Sequence, residues 1–323
     1  MLSIRNMSQE RIVLALAALL FAVAALTLKG FLALDNLVAI LRSVSVLGIL
    51  AVGMAVVVIG RGIDLSAVAI MAMSVAWYLQ MLNDGSPDAG ALLLALGGVL
   101  LIGLVNGFFI AYADVPAIFA TLASGAFVFG FVRSQLIGQD AIPVPPHHWI
   151  EALGRARLLN VPVEVFLFAG VALLAYLFLR FTKWGRFVYF MGDNPLAARN
   201  MGIPVRPMIL LRYTLSALIA FGAGILTAAG LLSINTRVVN STLLYDIVLV
   251  VVIGGIGLSG GKGGMRNVIV GALLIGIMLN AMTILDIPNI YQNLIKSTIL
   301  LAAIVIDSLL NPRDEQTAQQ GDI

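Results

Sequence analysis

There is no cysteine among the 323 residues. That absence removes disulfides, thiolate metal sites and thiol nucleophiles together, and says little about compartment. Charge is nearly as scarce. Asp, Glu, Lys and Arg make up 11% of the chain, where an ordinary soluble domain carries about a quarter. No Ser/His/Asp set and no carboxylate pair at catalytic spacing occurs, so no catalytic residue is assigned and an enzyme reading has no support. The two histidines, His147 and His148, stand side by side in a proline-rich stretch with no third ligand in view. A solvated loop fits them better than a metal site, and no metal is assigned. A leader-type cleavage site is missing as well. Lys29-Gly30-Phe31 follows the first apolar run where a small-x-small pattern would be needed, so an uncleaved first span is expected.

What the chain does have is apolar length. It is 61% hydrophobic with a mean hydropathy of +1.05, the composition of an integral membrane protein. The net charge of +3 and pI near 9.3 do not point to nucleic acid. The basic residues are spread between apolar segments rather than gathered on one face, and membrane topology accounts for them. A span needs about 20 apolar residues to cross ~30 Å of hydrocarbon. Ten segments qualify: Ile12–Leu28, Leu37–Ile59, Ser66–Leu82, Ala89–Ala111, Ala117–Ile137, Val163–Phe181, Met208–Leu231, Leu244–Leu258, Asn267–Leu285 and Asn293–Leu310. The expected class is therefore all-α, a single transmembrane domain over residues 1–323 with a tail at 311–323. With the N-terminus inside, 12 Lys and Arg fall on the inner side and 7 on the outer. The positive-inside rule then puts both termini and the loop 182–207 in the cytoplasm.

That loop, Thr182–Pro207, carries Lys183, Arg186, Arg199 and Arg206 against one acid, Asp193. Its chemistry predicts a short helix. Asn194 suits the N-cap, where its side-chain oxygen can accept from a free backbone N–H. Pro195 loses nothing at the first helical position. Leu196-Ala197-Ala198-Arg199 propagate the helix, and Gly202 can take the left-handed conformation that ends it. Asp193 then sits at the positive end of the helix dipole and Arg199 towards the negative end. Two turns are too short to be stable alone. The helix needs something to dock against, and it reads as a handle for a partner.

Gly60-Arg61-Gly62-Ile63-Asp64-Leu65-Ser66 puts charge beside hydrocarbon. An ionised Asp at the bilayer centre costs about 2.5–3.5 kcal/mol on insertion scales. Arg61 and Asp64 are at pairing distance if the turn is helical, and Ser66 can cap the next span. A structural or gate role is expected for Arg61, Asp64 and Ser66. The same holds for Ser259, Gly260 and Gly261 in the glycine-rich run Gly254–Gly264. That run fits a dinucleotide-binding pattern only superficially. It follows a span rather than a strand, and Asn280 stands about 20 residues on where an acid is needed. It lacks the residues of a P-loop too. Among polar residues within spans, Asn106, Thr121 and Asn280 are candidates for a translocation path, with interhelical hydrogen bonding as the plainer role. Gly103 and Gly107 form a small-xxx-small face. Asp114-Val115-Pro116-Ala117-Ile118-Phe119 recurs as Asp286-Ile287-Pro288-Asn289-Ile290-Tyr291, a faint repeat of the inverted kind that transporters use.

With Gly60–Ser66, Asn194–Gly202, Gly254–Gly263 and Tyr291-Gln292 through Lys296 to Asp307 in view, the chain resembles the permease subunit of ribose-type ABC importers, over about Asn36 to Asp307. Two departures stand out: Arg61 occupies the place of a usual Gly, and Gly257 that of a usual polar residue. The resemblance implies a fold like that of the cobalamin importer, with inverted groups of four spans. It implies residence in a bacterial inner membrane, a second permease subunit, a periplasmic solute-binding protein and ATP-binding cassette subunits. This chain would bind no cofactor, ATP and Mg being held by those cassettes. Asp193, Asn194, Pro195, Ala197, Ala198, Arg199, Gly202 and Ile203 would couple to them, and a monosaccharide or related polar solute would be carried. An ion-coupled secondary transporter is the rival. It calls for carboxylates in mid-span, whereas Asp64, Asp114 and Asp286 lie near span ends.

Overall fold

The computed structural model describes residues 9–310, so the tail from Asn311 lies outside the described residues. Each of the ten expected spans is helical: α1 (Gln9–Thr27), α2 (Leu34–Ile59), α3 (Ala67–Asn83), α4 (Asp88–Ala111), α5 (Ala117–Phe131), α7 (Val163–Phe181), α10 (Val205–Leu231), α11 (Leu243–Gly254), α12 (Met265–Ile284) and α13 (Asn289–Leu310). Among the described residues, seven helices are long and apolar enough to cross a membrane, while α3 and α11 are shorter apolar helices. A π turn, Val132–Leu136, continues α5. Between spans lie α6 (Trp149–Arg155), α8 (Lys183–Asp193) and α9 (Pro195–Asn200), with short strands β1 (Ala141–Pro143), β2 (Arg157–Leu158), β3 (Val161–Pro162) and β4 (Ser233–Asn235). His148 caps α6, accepting from the Ile150 N–H at 3.4 Å, which gives the His pair's loop a definite shape.

The core gathers around α2, whose residues from Leu47 to Ile59 are all buried. Helices α1, α4, α5 and α7 turn Leu and Phe outward, as a lipid-facing surface requires. The small-residue face of α4 lies directly on α10. A Cβ at Gly103 would stand 2.7 Å from Thr214 Cα, and one at Gly107 2.6 Å from Leu210 Cα. Small residues bring the two backbones together because bilayer lipid supplies no hydrophobic force between helices.

The repeat seen faintly in sequence recurs in the backbone. Asp114 and Asp286 both have φ 51. Each is followed by Pro and a new helix, with Val115 N–H on Phe109 O and Ile287 N–H on Met282 O, both at 3.0 Å. The packing repeats too: α2 lies on α12 as α10 lies on α4, and α3 contacts α5 as α11 contacts α13. Thr121 and Asn293 occupy matching places after those turns, and both hold the segment entering a short helix. Thr121 Oγ1 accepts from Leu65 N–H at 3.0 Å, and Asn293 Oδ1 from Thr242 Oγ1 at 3.3 Å. An antiparallel ribbon, β1 with β4, ties the segment after α5 to the segment after α10. Arg237 and Arg133 both hold Asp140 there, at 2.8 and 3.0 Å. The Arg237 hydrogen bond, with Arg133 beside it, keeps that carboxyl below its ordinary value.

Two buried acids were passed over in the sequence. Asp246 lies in α11 and pairs with Lys296 of α13 at 2.9 Å, both nearly inaccessible. Glu164, 2% exposed, opens α7 with Arg42 of α2 at 3.5 Å. Acids are therefore not confined to Asp64, Asp114 and Asp286. Removing one member of a buried pair strands the other charge and costs about 3–5 kcal/mol, whereas an apolar replacement of both is close to neutral. Lys296→Met is expected to lower the thermal midpoint of the purified protein sharply, and adding Asp246→Leu to restore most of the loss. A single variant as stable as the double would show that the carboxylate is not desolvated.

Candidate functional site: the α9 arm and the buried turn it rests on

The arm begins with a reversal. Thr182 Oγ1 accepts from the Gly185 N–H at 2.9 Å and starts α8. Gly185 lets α8 fold back against the end of α7, where a Cβ would overlap the backbone at Phe178 and Leu179. No helix is expected from the sequence over Lys183–Asp193, where Gly185 and Gly192 weaken the helical pattern. Gly185, Val188, Met191 and Gly192 form its buried face, and Trp184 and Phe190 point outward. Asn194 then caps α9 as expected, accepting from the Ala197 N–H at 2.9 Å. Pro195 is at the first position, and Gly202 (φ +78) follows the end.

The candidate residues of α9 divide by direction. Ala198 is fully buried and Ile203 8% exposed, so both seat the helix on its own chain. Asp193, Arg199 and Gly202 are exposed, and Asn194, Pro195 and Ala197 half-buried. The outermost apolar side chains are two not among the expected coupling residues, Leu196 (51% exposed) and Met201 (64%). On a helical wheel Leu196 falls opposite Ala198, while Met201 follows the last helical residue, where no wheel applies. Beside α9 a hollow of about 220 Å3 is lined by Ile203, Pro204 and Val205 between Arg199 and Arg206.

The base of the arm sits where the two glycine motifs meet. A Cβ on Gly192 would overlap the Ile59 carbonyl and reach 2.5 Å from the Gly261 nitrogen. Gly261 N–H donates to Ile59 O at 2.8 Å. Cβ atoms on Gly260 and Gly261 would stand 2.9 Å from Arg61 Cβ and from Asp193 Cα. Gly260 and Gly261 have φ +80 and +73, a conformation that glycine adopts without strain. Tyr189 of α8 donates to Gly263 O at 2.8 Å. Ser259 is half-buried in the same loop.

The turn between α2 and α3 is not helical, which removes the premise for an Arg61–Asp64 pair at helical spacing. Arg61 has φ 64. An L residue in the left-handed region costs roughly 1–2 kcal/mol, which gives a physical reason for glycine at the matching place in the resembling family. Asp64, fully buried, accepts from Ser66 N–H (3.0 Å), Ser66 Oγ (2.5 Å) and Ser216 Oγ of α10 (2.7 Å). Ser66 does not cap α3 with its side chain. Its hydroxyl donates to Asp64 and accepts from Asn106 Nδ2 at 2.9 Å. Arg212 of α10 donates to Gly60 O, and Tyr213 OH to Ile63 O at 3.3 Å. Asn106 and Thr121 are thus packed against the turn, 1% and 0% exposed. Asn280 exchanges two hydrogen bonds with Asn36 of α2, at 2.8 and 3.1 Å. Arg212, Tyr213 and Ser216 escaped the sequence reading because nothing local links them to a turn about 150 residues earlier.

A small helix presented outward, braced on a turn that several spans hold, can receive a push and distribute it. Comparison with known proteins identifies the family. Residues 36–304 match the family described as branched-chain amino acid transport system / permease component. The ribose import permease protein of Escherichia coli strain K12 is 33% identical over 307 residues, covering 93% of this chain and 94% of that one. That of Bacillus subtilis strain 168 is 30% identical over 272 residues, 84% of each. The galactofuranose transporter permease protein of Escherichia coli strain K12 is 33% identical over 269 residues, 83% of this chain and 78% of that one. No solved structure matches. With its membrane helices, its braced α9 arm and these relatives, the chain belongs to the family of transport-system permease components.

Proposed function

We propose that this chain is the transmembrane subunit of a binding-protein-dependent ABC importer for a monosaccharide or a related polyol. Ten spans cross a bacterial inner membrane with both termini and α9 in the cytoplasm, and α2–α5 and α10–α13 form an inverted pair of four. ATP and Mg are handled by separate cassette subunits, a second permease copy completes the path, and a periplasmic protein delivers solute to the face opposite α9. The observation that carries this reading is the arrangement of α9. Leu196 and Met201 face out from a helix whose inner side, Ala198, is locked to the chain. Exposed apolar residues on a rigid platform suit a groove in a partner, and the hollow between Arg199 and Arg206 suits an acidic side chain from it.

The motion then runs through backbone. Gly192 touches the Ile59 carbonyl and Gly261, so a tilt of the arm displaces the turn at 60–66 and the loop at 254–264 together. That turn bears on α4, α5 and α10 through Asn106, Thr121 and Ser216. We assign Asn106 and Thr121 to this joint, and Asn280 to holding α12 on α2, in preference to the solute path. An importer of this kind needs no ionisable group in transit, and Asp246 has its own counter-ion in Lys296.

Two variants separate docking from transmission. Leu196→Glu with Met201→Glu is expected to abolish co-purification with the cassette subunit while the chain still inserts and elutes as a single species. Undiminished capture would refute the handle. Gly192→Val is expected to retain capture yet lose solute uptake by more than about tenfold, because the added side chain overlaps Ile59 and Gly261. Normal uptake would refute transmission through that contact.

A further inference from the structure

At the far end of the protein from α9 lies a cavity of about 390 Å3 between α2, α7, α10, α11 and α12. Its volume falls within the range of roughly 300–1,000 Å3 usual for small-molecule sites. The walls are mostly apolar, including Val46, Leu226 and Leu279, with a few polar groups turned inward. Glu164 is the informative one. It is 2% exposed, and neither of its carboxylate oxygens accepts a hydrogen bond. Arg42 is its charge partner at 3.5 Å, but that guanidinium also donates to the Gly154 carbonyl at 2.8 Å. A buried carboxylate without hydrogen bonds leaves a desolvation penalty unrelieved, and such groups are normally satisfied. Ser43 and Thr227 line the cavity from α2 and α10, and Asp246, covered by Lys296, lines it from α11.

The geometry points to a site for a neutral polyhydroxylated solute inside each copy of the chain, with hydroxyl groups donating to Glu164 and C–H faces lying on the leucine wall. Charge selects this class. Arg42 and Lys296 balance Glu164 and Asp246, so the cavity lining carries no net charge to hold an ion, while the unpartnered Glu164 oxygens behind its wall call for donors. Apolar walls with a few placed polar groups are the usual composition of a small-molecule site. The site rests on the importer reading and adds to it a resting place on the delivery side, within the protomer.

The absence of native cysteine supplies the test, since Thr227→Cys introduces the sole thiol of the chain. The full-length variant in lipid nanodiscs is labelled with a water-soluble methanethiosulfonate sulfonate, alone and with D-ribose, D-galactose, D-xylose or glycerol. At least one of the four is expected to slow labelling in a saturable way, and sodium chloride at matched osmolarity is expected to have no effect. With Glu164→Gln added, the half-protecting concentration is expected to rise about tenfold, the loss of one charge-assisted hydrogen bond. Ser43→Cys, on another wall with Glu164 intact, gives the same readout should the Glu164 variant fail to fold. Labelling indifferent to all four polyols at both positions overturns the site, as does protection by the salt or protection unchanged in Glu164→Gln. No cassette subunit enters this assay, so failure here leaves the docking reading standing, and failure of capture by α9 leaves this site standing.

Discussion

One buried carboxylate organises the half of the protein nearest α9. Asp64 has no water to solvate it, so its oxygens must be met by donors from the chain, and Ser66 and Ser216 meet them. Everything near it follows from that demand. The backbone from Gly60 to Ser66 leaves the helix so that N–H and hydroxyl groups can turn towards the acid. The C=O groups freed by that departure find Arg212 and Tyr213. Helices α4 and α5 are then fixed against the turn by one polar side chain each, Asn106 and Thr121, and α10 by three, Arg212, Tyr213 and Ser216. A purely apolar contact could slide, whereas a directional hydrogen bond to a desolvated acid holds one register.

The second consequence concerns how motion passes. Where the arm meets the body, the contacts are glycine backbones at 192, 260 and 261 against Ile59, Arg61 and Asp193. Side chains can absorb a displacement by changing rotamer, but backbones in contact cannot. The same economy of bulk recurs where α4 meets α10 at Gly103 and Gly107. Arg61 is the exception, a long cationic side chain at a positive φ in the middle of this junction. Its backbone conformation is one that glycine would hold with less strain, so the guanidinium is present despite the conformation it requires.

What could be read in the sequence was whatever is decided locally. Apolar length located the spans to within a few residues, and Asn194, Pro195 and Gly202 announced α9 because capping is a matter of neighbours. What escaped was decided at a distance. Ser216 meets Asp64 across 152 residues, and Lys296 meets Asp246 across 50, with no spacing rule to connect them. That Ala198 faces inward was hidden for a related reason: a short helix shows its period, but which face is buried depends on what lies beneath. Helix α8 was hidden by two glycines that are there for close approach rather than for a turn. The faint Asp-x-Pro repeat proved more informative than its length suggested, because each copy carries a residue with φ 51 and the same entry into a helix.

The ribbon of β1 and β4 sets a limit on how the molecule can breathe. Three residue pairs, with Asp140 clasped by two arginines, lash one half of the chain to the other on the side away from α9. Within one copy those ends cannot part without unzipping backbone hydrogen bonds. Widening on that side therefore falls to elements the ribbon does not join, much as a clasped book can shift its loose leaves while the boards stay shut.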